Sequence, residues 1–163
     1  MDEKSRNRTI NILKEQERLL HFETFDAQAA WEIGSALRCK IAASGHCAAI
    51  EVTQGGNLVF ASCLPGATRH NQTWVRRKRN TVQEFEKSSY LVALELEEAG
   101  KSLEQRGLSP LDFAASGGGV PVHPAGEGLL GTVVVSGMTQ EQDHQMAAEA
   151  MAEYLGRKIP SVL

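Results

Sequence analysis

At 163 residues, with 42% hydrophobic and 23% charged side chains and a net charge of −3, the chain has the size of one globular domain, 1–163, able to bury a core without metal or disulfide support. No bulk positive charge draws it to nucleic acid, and no apolar run approaches the roughly 20 residues of a membrane span. The opening Met1-Asp2-Glu3-Lys4-Ser5-Arg6 leads into a mixed charged and apolar stretch unlike a signal peptide, which predicts a cytoplasmic protein.

Between Thr9 and His21 the apolar residues Ile10, Ile12, Leu13, Leu19 and Leu20 alternate with Lys14, Glu15, Glu17 and Arg18, the pattern of an amphipathic helix. Asp26 is an N-cap for a second helix to about Ser44, where Ala27, Ala30, Gly34, Leu37 and Ile41 make a small-residue face suited to close backbone approach. Three cysteines, Cys39, Cys47 and Cys63, are odd in number and lack a CxxC pair, so they read as small buried thiols rather than a disulfide framework or zinc site. Ala48 to Thr53 and Asn57 to Ala61 read as a β-hairpin around Gln54-Gly55-Gly56.

A helix follows from about Arg69 to Lys87, and Ser88-Ser89 caps another through Ala99, closed by Gly100. Ser109-Pro110 with Asp112 predicts a short helical turn. After Gly117-Gly118-Gly119, Val120 to His123 and Leu129 to Ser136 read as strands, the second valine-rich and central. Thr139 with Gln142 forms a capping box for the last helix, which runs to Gly156. The sum is an α/β protein of α+β type: a mostly antiparallel sheet with helices on its faces. No glycine cluster stands between a strand and a helix as a dinucleotide-binding fold requires.

Three features could carry chemistry. On the helix from Arg69, at about 100° per residue, Trp74, Val75, Val82 and Phe85 share a face, with Asn71 and Lys78 in its middle. A lysine there must snorkel, pair with an acid, or meet an anionic ligand or partner chain, because an unpaired buried ammonium costs too much. Arg76, Arg77 and Arg79 point to other sides, as a solvated or intersubunit face would. Gly117-Gly118-Gly119 brings backbone N–H groups close enough to cradle an anion, or turns tightly into a strand. His144 shares the apolar side of the last helix beside Asp143, where it is a core histidine, an acid or base, or a ligand. His21, His46, His70 and His123 show no metal spacing, and no GxSxG motif is present, so neither a metal nor a nucleophile is indicated.

Taken in order, Phe25-Asp26 before an alanine-rich helix, Gly66 then Asn71-x-x-Trp74-x-x-Arg77-Lys78-x-Asn80, Ser88-Ser89-Tyr90, Gly117-Gly118-Gly119-Val120-Pro121, and Val135-Ser136-Gly137 with Asp143-His144 resemble the HbpS-like (GlcG-like) superfamily, in its uncharacterised-family branch. The resemblance covers about Leu20 to Leu155. It implies a profilin-like layout, a five-stranded antiparallel sheet flanked by helices, assembled into homo-oligomers. Haem enters only through the superfamily's other branches, from which no axial ligand maps onto a position here.

The expected function is therefore an oligomeric binding module for a small anionic ligand, a propionate-bearing tetrapyrrole among the candidates. Its site would lie among Asn71, Trp74, Arg77, Lys78, Gly117, Gly118, Gly119, Asp143 and His144. The alternatives are an assembly scaffold with Trp74 and the arginines at a subunit interface, and a haem-degrading or acid–base enzyme using His144 with Asp143.

Overall fold

The computed structural model of the chain describes residues 1–126 and 128–163. Helix α1 (Glu3–Leu19) is capped by Asp2, whose carboxylate accepts from the Ser5 amide at 2.7 Å. It starts before the apolar stripe at Thr9 because its first turns are polar and capped rather than packed. Strand β1 (His21–Phe22) follows, then α2 (Ala27–Ala43), capped by Asp26 Oδ1 accepting from the Ala29 amide at 2.8 Å. Strands β2 (Ala49–Gln54) and β3 (Asn57–Cys63) form the expected hairpin. Gly55 and Gly56, at φ +55° and +82°, both take the left-handed conformation that a tight two-residue turn needs. Then come α3 (Arg69–Phe85), α4 (Ser89–Glu98), β4 (Gly119–Pro124), β5 (Gly131–Ser136) and α5 (Gln140–Tyr154).

The sheet order is β1-β4-β5-β2-β3, with the valine-rich β5 central and buried throughout. It is mixed rather than purely antiparallel, since β1 pairs in parallel with β4 while the other ladders are antiparallel. No hairpin joins β1 to β4, and the intervening helices supply the crossover that parallel pairing requires. Residues alternate between the two faces. Ile50, Val52, Phe60, Val120, Val122, Val133 and Val135 meet Ala30, Ile33 and Leu37 of α2 and Ala147 and Met151 of α5. On the opposite face α3 sets Val75 against Ala49 and Val134. Gly34 lies where any Cβ would overlap the Phe60 ring, which accounts for the small face of α2.

Ser109-Pro110 begins a single isolated turn, closed by the Asp112 and Phe113 amides on the Ser109 carbonyl, and a 3-10 turn precedes it at Glu104–Arg106. One local expectation is corrected. Cys39, Cys47 and Cys63 are exposed rather than buried: Cys63 ends the edge strand β3, and Cys47 precedes β2 in a connection. No described helix is long and apolar enough to cross a membrane.

Candidate functional site

Helix α3 positions four of the residues singled out by sequence. Asn71 Oδ1 accepts from the Thr68 amide at 2.8 Å and its hydroxyl at 3.0 Å, so Asn71 serves the capping box that starts the helix. Val75, Lys78, Thr81 and Val82 face inward. Lys78 is only 2% exposed. Its ammonium donates to Asp143 Oδ2 at 2.9 Å and to the Val135 carbonyl at 3.1 Å. Of the fates open to a lysine on an apolar stripe, it takes pairing with an acid.

Asp143 stands in the first turn of α5, and its carboxylate also accepts from the Gly137 amide at 3.3 Å and the Met138 amide at 3.0 Å. Every group that reaches the carboxylate is a donor, which is the environment of the ionised form. Burial pushes the Asp143 carboxyl up and pulls the Lys78 ammonium down, and each partner's charge opposes the other's shift. The glycine run packs around this pair. Gly118 has φ +126°, and a Cβ there would overlap the Val135 carbonyl and sit 2.7 Å from Lys78 Nζ. The Gly119 amide donates to Ser89 Oγ at 2.9 Å, and the Gly117 amide to Gln140 Oε1 at 3.4 Å. Lys78, Gly118 and Asp143 are thus brought together, in a closed node joining α3, β5 and α5.

His144 faces away from that node. It is 1% exposed, with Nε2 at 2.8 Å from Gln16 Oε1 and its ring 5.7 Å from that of Tyr90. Gln16 Nε2 donates to the Pro160 carbonyl at 2.7 Å, which leaves Gln16 Oε1 as an acceptor and puts the imidazole proton on Nε2. Burial, and then the Lys78 charge, pull the imidazole down to about 3, so it is neutral. The neighbours Asp143 and His144 therefore serve different partners rather than forming an acid–base dyad.

Trp74 and Arg77 lie on another side of α3. Trp74 Nε1 donates to His70 Nε2 at 2.8 Å, which holds the indole, and the Arg77 guanidinium lies 4.4 Å from the Trp74 ring centroid. Both line an open cavity of about 370 Å³ between α3, α4 and the segment up to Ser116. Leu96, Leu103, Phe113 and Ala93 make its apolar wall, and Glu97, Lys101 and Glu104 also border it. No acceptor among the described residues bonds the Arg77 guanidinium, and its Nε is buried without a partner. Sequence reading names Trp74 and Arg77 and predicts α4, which carries Ala93, Leu96 and Glu97, but misses the wall supplied by residues 101–116. That wall's trace in the sequence is a few apolar residues, Leu103 and Phe113 among them, in a stretch without helical or strand period.

A family model described as haem degrading protein HbpS-like matches residues 25–152, and the chain belongs to that family. A UPF0303 protein of Serratia proteamaculans (strain 568) is 42% identical over 154 residues, covering 94% of this chain and 96% of the relative. The crystal structure of Ybr137w protein has the same fold, with a TM-score of 0.82 at 23% identity over 90% of this chain and 87% of that one. The crystal structure of PduOC in complex with haem matches with a TM-score of 0.64 at 17% identity, covering 80% of this chain and 93% of that one.

Proposed function

We propose that the chain is a binding protein for a small organic anion, held in the cavity beside Trp74 with Arg77 as its counter-ion. The observation that carries this is the Arg77 guanidinium. It is partly buried, lies over an indole and borders a largely apolar cavity, and no acidic side chain among the described residues pairs with it. Its Nε is shut off from water with no acceptor among the described residues, so an anion that reaches the guanidinium would supply the missing bond. The cavity volume lies within the range of small-molecule sites.

A haem-like tetrapyrrole fits this cavity only in part. Arg77 suits a propionate, but no described lining residue is a histidine, cysteine, methionine or tyrosine, so the cavity offers haem iron no ligand. Self-association is a second reading. It is favoured by the free edge of β3 and by Trp31 and Leu58, each 55% exposed, on and near the hairpin.

Titration with the fluorescent anion 8-anilinonaphthalene-1-sulfonate tests the first reading. Saturable binding by the wild type should weaken about tenfold or more in Arg77→Met, the scale of a charged hydrogen bond. Equal binding by both proteins overturns the assignment. Weighing the same sample under native conditions reads the subunit count.

A further inference from the structure

We infer that the anion taken by this cavity is a flat aromatic monocarboxylate of one or two rings, bound without a metal ion; the inference rests on the binding reading above and narrows its ligand. Four observations point there. The guanidinium carbon lies over the indole, 4.4 Å from its centroid, so a delocalised cation and an aromatic ring adjoin on one wall, and a flat aromatic ring carrying an anion can contact both. Much of the remaining wall is apolar and includes an aromatic ring, Phe113, with Leu96 and Leu103. This favours a ligand whose body is hydrocarbon and whose charge sits at one end.

Charge then sets the number of anionic groups. Apart from Arg77 the charged lining is Glu97, Glu104 and Lys101, two acids to one base, so a second carboxylate on the ligand would gain no net attraction there. Glu97 is drawn to Arg6 at 3.3 Å, an ion pair that engages the one cavity carboxylate near α1 while Arg77 is left for a ligand. Finally, the described lining residues include no histidine or cysteine, and the two lining carboxylates, Glu97 and Glu104, belong to no cluster of three or more metal-binding side chains among the described residues. A carboxylate recognised by a guanidinium needs none, because the planar fork supplies paired N–H donors.

Calorimetric titration of the whole chain with indole-3-acetate, indole-3-acetamide and octanoate, each with and without a chelator, tests the proposal. Indole-3-acetate should bind about tenfold or more tightly than the neutral amide and than octanoate, with no effect of chelator. Arg77→Met should erase the preference for acid over amide, Arg77→Lys should keep part of it, and Trp74→Leu should erase the preference for the ring over the alkyl chain. Circular dichroism of each variant confirms the fold. Octanoate binding as well as indole-3-acetate, with both still dependent on Arg77, overturns the aromatic inference and leaves the anion reading standing. Loss of binding on chelation overturns the metal-free part. Failure of all three compounds to bind, or binding indifferent to Arg77→Met, overturns both.

Discussion

Arginines 76, 77 and 79 are neighbours in sequence and differ in circumstance. Arg76 bonds Asp112 at 2.8 Å and Arg79 bonds Glu51 at 2.6 Å, whereas Arg77 lies over an indole and pairs with no acid among the described residues. Helical geometry separates them: at about 100° per residue, adjacent positions look in different directions and meet different neighbours. His144 shows the same dependence on surroundings. With its folded-state value near 3 and an ordinary value of 6.5, the unfolded chain takes up a proton below about pH 6.5 that the folded chain refuses. The sign is therefore destabilising as pH falls, by up to about 1.4 kcal/mol per pH unit until the folded imidazole also titrates. Urea unfolding at pH 7 and pH 5 should show a loss in the wild type that is smaller in His144→Gln, and equal losses would contradict the neutral buried state.

At the scale of elements, what was legible in the sequence is what local chemistry dictates. Asp26 and Thr139 with Gln142 cap α2 and α5 through contacts three residues away, and Gly55-Gly56 makes the hairpin turn. Lys78 is legible as an anomaly on its face, but not its partner, since Asp143 stands 65 residues further on. Strand β1 escapes reading because two residues show no alternation, and its parallel pairing is a property of the assembled sheet. The Lys78–Asp143 pair ties α3 to α5, both side chains 3% exposed. Removing one partner leaves a buried charge alone, so Lys78→Met should destabilise the fold by about 3–5 kcal/mol. The double variant Lys78→Met/Asp143→Leu should recover a large part of that loss, as measured by denaturant unfolding. Additive losses would mean that the two side chains act independently.

For the whole molecule, the sheet divides two environments. One face, with α2 and α5, is filled by the main core, while the other carries α3 and α4, with the cavity on α3's flank. Among the described residues none from a strand lines that cavity, and its apolar wall of Leu96, Leu103 and Phe113 belongs to a small hydrophobic cluster separate from the main core, so changes to the site fall on that cluster and leave the sheet's core untouched. The family's fold and the proposed site are separable in that sense: on the binding reading, ligand choice would belong to the cavity-lining side chains rather than to the profilin-like frame. The most direct measurement is the nitrogen-15 resonance of the Arg77 side-chain Nε–H group during titration with indole-3-acetate. It should shift saturably, with the Trp74 indole N–H moving in step. Binding that shifts other resonances and leaves Arg77 and Trp74 unmoved would place the ligand elsewhere and contradict the assigned site.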